Sequence, residues 1–93
     1  MFEEILEAML ESVRAGTLIL TTHAYDEMND DDLFVYDLER CIETGEIMTR
    51  QWDDDFSEWK YLIHGDCQDG SEIAVVAKLD YNHCIVIITT FRL

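Results

Sequence analysis

Near residue 46 the spacing of apolar residues changes from a period of 3.6 to a period of 2, which constrains the fold more than any other feature of the chain. Before the switch, Phe2, Ile5, Leu6, Met9, Leu10 and Val13 recur at intervals of three and four, which predicts an amphipathic helix over residues 2 to 15. Gly16 ends it, glycine being the residue that most easily takes a left-handed conformation. The β-branched and apolar run Thr17 to Thr22 reads as a strand. A helix opened by His23 follows over 23 to 29, then a helix over 34 to 44 with Leu38, Cys41 and Ile42 inward and Gly45 past its end. Asp30, Asp31 and Asp32 lie between the two helices, where they are expected to supply cap oxygens. After the switch, strands are predicted over 46 to 52, 58 to 65, 71 to 79 and 83 to 92. Their short connections make them an antiparallel meander. The predicted fold is α+β in one domain, residues 1–93: a leading helix within 1–16, one strand, two short helices, and a four-stranded antiparallel meander packed on the helices. The first strand is expected to join the same sheet.

The turns suggest a register. A two-residue Tyr81-Asn82 loop would pair Asp80 with His83, Leu79 with Cys84, Ala77 with Val86, Val75 with Ile88 and Ile73 with Thr90. That face is almost wholly apolar and, carried back to Trp59, Tyr61 and Ile63, is where the helices should pack. The opposite face then shows Lys60, Leu62, His64, Glu72, Ala74, Val76, Lys78, Ile85, Ile87, Thr89 and Phe91. Val76, Ile85, Ile87 and Phe91 make it more apolar than a merely wetted face requires, so a partner or a second copy is expected to cover them.

Charge narrows the function. Twenty-one acids against six basic residues give a net charge of -15, a field that repels phosphate backbones and makes direct nucleic-acid binding unfavourable. A protein partner with a basic surface is the expected companion. Residues 21 to 45 hold eight acids against Arg40 alone, and such a run is usually a solvated face. The start Met1-Phe2-Glu3-Glu4 lacks the pattern of a signal peptide, and no apolar run suffices for a membrane span, so a cytoplasmic protein is expected. Cys41, Cys67 and Cys84 have neither the even count of a disulfide scaffold nor a Cys-x-x-Cys spacing. They read as reduced thiols, with Cys84 and Cys41 buried.

The run Thr21-Thr22-His23-Ala24-Tyr25-Asp26-Glu27-Met28, followed by Leu33, Leu38, Ile42 and Gly45-Glu46-Ile47, resembles a family of small bacterial domains known as domain of unknown function 4258. Its pattern runs roughly T-x-H-A-x-x-R-M-x-x-R-G-I, a helix, G-E-I, then strands ending in I-T-V-Y. The resemblance covers residues 17 to 92. In fold it implies similarity to the compact RelE-like and BrnT-like ribonuclease toxins of bacterial toxin-antitoxin pairs. Where the family pattern has arginines this chain has Glu27 and Asp31, and Asp32 replaces the glycine, exchanging phosphate-binding charge for repulsion.

Candidate chemistry centres on few residues. Toxins of the implied shape cleave RNA with basic and histidine side chains on an open sheet face, where acid-base groups and a cation stabilise a charged phosphorane. Lys60, Lys78 and His64, with Arg50 as a further candidate, fall on that face in the expected register, although long basic side chains on a sheet more often offset neighbouring acids such as Glu72 and Asp80. His23 could act as a base, but at a strand-to-helix junction a shielded ring bonded to the backbone is expected, fixing the bend. His64 with Cys67, the adjacent His83-Cys84, and Asp53-Asp54-Asp55 lack the convergence or spacing of zinc or calcium sites, and no cofactor motif is present. The favoured expectation is a non-catalytic protein-binding module, with Asp30, Asp31, Asp32, Val76, Ile85, Ile87 and Phe91 toward the partner, which could be an antitoxin-like protein. The alternatives are an RNA-cleaving toxin using His23, Lys60, His64 and Lys78, and an acidic mimic of nucleic acid.

Overall fold

The stripe read between residues 2 and 15 forms helix α1 (Glu3–Ala15) in a computed structural model that describes residues 1–93. Gly16 closes it at φ 74°, its N–H turned back to the carbonyls of Ser12 and Val13. Strand β1 is only Ile19–Leu20, shorter than the sequence suggests, because Thr17 is drawn back to α1 and Thr21 already begins the turn into the next helix. Thr17 folds back so that its N–H reaches the Ser12 carbonyl at 3.0 Å, while Thr21, its own N–H still on the Ile87 carbonyl at 3.1 Å, turns the chain into helix α2 (Thr22–Asp30) as its N-cap. The Thr21 hydroxyl accepts the Ala24 N–H at 3.1 Å and shares its proton between the carbonyls of Ile87 and Ile88, at 3.0 and 3.1 Å.

Helix α3 (Val35–Thr44) turns Leu38, Cys41 and Ile42 inward as its spacing predicts. Its first turn is held by a residue inside it rather than by the preceding aspartates. Asp37 accepts the Phe34 N–H at 2.9 Å with one carboxylate oxygen and the Gln68 N–H at 2.8 Å with the other. Asp31 instead terminates α2, where its carbonyl takes the Arg92 guanidinium at 2.9 and 3.1 Å, and Asp32 sits at φ 54°. Gly45 is also not a left-handed cap, since its backbone is extended. Glycine is required there because a Cβ would overlap the carbonyl oxygens of His64 and Cys41.

Strands β2 (Glu46–Asp53), β3 (Glu58–Asp66), β4 (Glu72–Leu79) and β5 (Ile85–Arg92) form the expected antiparallel meander. With β1 parallel to β5, the sheet order is β1-β5-β4-β3-β2. Met9, Val13, Ala24, Met28, Leu38 and Ile42 from the helices pack against Tyr61, Ile63, Ile73, Val75, Ala77, Ile85 and Ile87 from the sheet. No helix is long and apolar enough to cross a membrane.

The expected β4–β5 register is corrected by its loop. Asp80 accepts the N–H groups of Asn82 and Cys84 on one carboxylate oxygen at 2.9 and 2.8 Å, and its own N–H donates to the Cys84 carbonyl. The loop is therefore three residues, Tyr81-Asn82-His83, with His83 left-handed at φ 60°, in place of a two-residue turn. A primed two-residue turn needs positive φ at both central positions, which Tyr81 resists. The extra residue pairs Leu79 with Ile85 and Ala77 with Ile87, and so turns Ile85 and Ile87 into the core, both fully buried. A bulge beyond Val76 then pairs Val75 with Thr90 and Ala74 with Phe91, returning Thr90 to the core face and Phe91 to the outer one. Cys84, now at the end of a loop, is half-buried rather than buried, while Cys41 and Cys67 are buried.

Candidate functional site on the open sheet face

The face of the sheet turned away from the core is laid out in rows. Leu62 lies opposite Val76, which faces Thr89, and His64 lies opposite Ala74, which faces Phe91. Lys78 faces Val86, and Lys60 faces Gln51. Leu62, Val76, Thr89 and Lys78 are half-buried and Phe91 is exposed, which leaves an apolar centre open to solvent. Of the expected partner-facing apolar residues, Val76 and Phe91 lie here and Ile85 and Ile87 do not.

Both lysines of this face are neutralised by acids beside them. The Lys60 ammonium is 3.4 Å from Asp53 and that of Lys78 is 2.5 Å from Glu58, the latter also 5.3 Å from the Phe56 ring. Partial burial opposes ionisation of Asp53, yet the hydrogen bond and charge of Lys60 and the N–H groups of Asp55 and Phe56 outweigh it, holding its carboxyl below the usual range. Period-2 alternation places Asp53 and Glu58 on the same face as Lys60, so this pairing was within reach of the sequence. Arg50 does not join the group, because β2 turns it to the core-facing side, where its guanidinium covers the Trp59 ring at 3.8 Å. His64 borders an open depression of about 400 Å³ lined also by Glu46, Asp66 and Glu72, carboxylates that repel a phosphate.

His23 is exposed, 68% of its side chain being accessible, and this corrects the expected shielded ring. Thr21 performs the bend-fixing, and His23 Nε2 contacts Glu27 Oε1 at 2.5 Å across one helical turn. The same Glu27 oxygen accepts the Thr89 hydroxyl at 2.7 Å, so the histidine is tethered to the β5 margin of the open face. From Thr89 to the strand bearing Lys60 and His64 is two strand spacings, about 10 Å. Lys60 and Lys78 are cross-strand neighbours, but His64 lies four residues along β3 from Lys60 and His23 lies on α2 beyond β5, so the four candidate catalytic side chains do not gather about one reacting atom. No group of three or more His, Cys, Asp or Glu side chains could hold a metal ion. Asp30 and Asp32 are exposed at the C-terminal end of α2, off the sheet face.

No curated protein and no solved structure matches the chain. The model of the family described as Domain of unknown function (DUF4258) matches residues 20–92, from the end of β1 to the last residue of β5, and the chain belongs to that family.

Proposed function

We propose that the chain is a non-catalytic protein-binding module whose partner, a protein with an apolar centre and a basic rim, docks on the open sheet face. The observation that carries this reading is the pairing of Lys60 with Asp53 and Lys78 with Glu58, which leaves no free cation beside the apolar centre of Leu62, Val76 and Phe91. A phosphoryl-transfer site needs a cation and acid-base groups converging within hydrogen-bond reach. A protein interface needs an apolar centre and complementary charge, and a net charge of -15 favours a basic partner while opposing RNA. An antitoxin-like protein with a basic surface has that chemistry.

The test is co-purification of the tagged chain with the untagged product of the adjacent gene, together with incubation with RNA at physiological salt. Retention of a basic partner that is lost in Val76→Glu and Phe91→Glu, with circular dichroism unchanged and RNA intact, is expected. RNA cleavage or growth arrest that disappears in Lys60→Ala and Lys78→Ala would overturn the reading in favour of a toxin.

A further inference from the structure

The two margins of the sheet are treated differently by the fold. At one, β1 is two residues long and the carbonyls of Ile87 and Ile88 beyond it are taken by Thr21. At the other, β2 presents eight residues with no strand beyond it, and all but Ile47 and Asp53 are exposed. Soluble proteins usually blunt such an edge with charged side chains, proline or a bulge. Here the bulge falls early, between Ile47 and Thr49, and Thr49 to Trp52 contain one charge, Arg50, whose guanidinium is folded over Trp59. The run Ile47 to Trp52 carries no acid in a chain of net charge -15. Two copies meeting along this run bring none of its side chains into like-sign contact except at Arg50.

We propose that β2 pairs antiparallel with β2 of a second copy, the two-fold axis passing at Gln51, so that the two sheets become continuous. The register follows from the pleat and from charge. A two-fold axis normal to the sheet keeps the helices of both copies on one side, so each residue must face one of its own parity. Placing the axis at Arg50 sets two guanidinium groups opposite each other. Placing it at Trp52 leaves only Gln51 to Asp53 within the strand. With the axis at Gln51, the two amides face each other, Thr49 faces Asp53, and Arg50 faces Trp52. Each guanidinium is then held between Trp59 of its own chain and Trp52 of the other, a desolvated cation–π arrangement. No carboxylate meets a carboxylate within the paired segment.

Disulfide trapping tests the register and sedimentation equilibrium tests the association, both in a Cys84→Ala background. Under mild oxidation Gln51→Cys is expected to cross-link to itself, while Thr49→Cys cross-links only when mixed with Asp53→Cys, since directly facing strand positions come within bridging distance. Gln51→Glu and Gln51→Lys should each weaken dimerisation roughly threefold, the size of like charges facing across strands. The lysine variant separates register from net charge, because general repulsion alone would make it associate more tightly. A monomer at millimolar concentration, self-linking at Thr49→Cys equal to that at Gln51→Cys, or tighter association of Gln51→Lys would each overturn the proposal.

Discussion

Asp37 is counted among the acids of the α2–α3 region, yet its surroundings differ from those of its neighbours. It is 6% exposed and accepts two backbone N–H groups, from Phe34 at the start of its own helix and from Gln68 in the loop between β3 and β4. One carboxylate thus closes a helix N-terminus, where a negative charge suits the dipole, and ties it to a loop 31 residues away. Removing it leaves partly buried donors without partners. Asp37→Ala is expected to lower stability by about 2 kcal/mol, whereas Asp30→Ala, at an exposed position, should change it by less than about 0.5 kcal/mol. Urea unfolding of the two variants measures the contrast, and equal effects would remove Asp37 from this role.

At the scale of elements, helix α3 and strand β3 approach until backbone meets backbone. A Cβ at Gly65 would overlap the carbonyl oxygen and carbon of Cys41, and one at Gly45 would overlap the Cys41 and His64 carbonyls. The obstacle in each case is main chain, which no rotamer change can move. The helix would have to lift off the sheet, taking Leu38, Cys41 and Ile42 from their contacts. Gly65→Ala is expected to cost about 3 kcal/mol, the upper range for overpacking a close-packed interior. Gly70→Ala is a useful comparison, because it has open space around it and only a left-handed backbone, φ 87°, to strain. It should cost about 1 kcal/mol. Thermal unfolding of both variants tests the ranking.

For the molecule as a whole, the buried thiol of Cys41 predicts how stability depends on alkaline pH. Burial first, then the nearby Asp66 and Cys67, push this thiol up to about 12. The folded value lies above the unfolded one, so the neutral thiol's contribution is fully present below about pH 8.5, the unfolded value. It is lost as pH rises from there through the folded value, because only the unfolded chain gives up the proton in that window. Unfolding free energy should fall across that window, and Cys41→Ala should flatten its slope by up to about 1.4 kcal/mol per pH unit. Denaturant titrations between pH 8 and 11 provide the measurement, and an unchanged slope in Cys41→Ala would contradict it. Asp69 acts at the opposite end. Hydrogen bonds from the Cys67 thiol and from the Ser71 hydroxyl and N–H, with the charge of Arg92, hold its carboxyl below the usual range. Its contribution is present above the unfolded carboxylate value and is lost as pH falls toward the folded one.

Element types and their order were determined by the sequence, because each rests on a period carried by neighbouring residues. The stripe of Phe2 to Val13, the inward set Leu38, Cys41 and Ile42, and the alternation through Tyr61 and Ile63 all survive in the fold. So does the meander, since short connections leave consecutive strands little choice but to pair. Part of the candidate site was equally legible: Lys60, Leu62, His64, Val76, Lys78 and Phe91 share the face assigned to them. What tertiary structure alone decided depends on contacts between distant segments. Asp80 selects a three-residue loop, and that single added residue moves Ile85 and Ile87 from solvent to core before the bulge beyond Val76 restores the alternation at Thr90. Thr21 and Thr89 fix the junction that the sequence pattern assigns to His23, through bonds spanning more than 60 residues. A local pattern records which residues prefer burial, but a loop conformer or a bulge costs little locally and reverses every side chain beyond it. The packing of the whole chain selects between them.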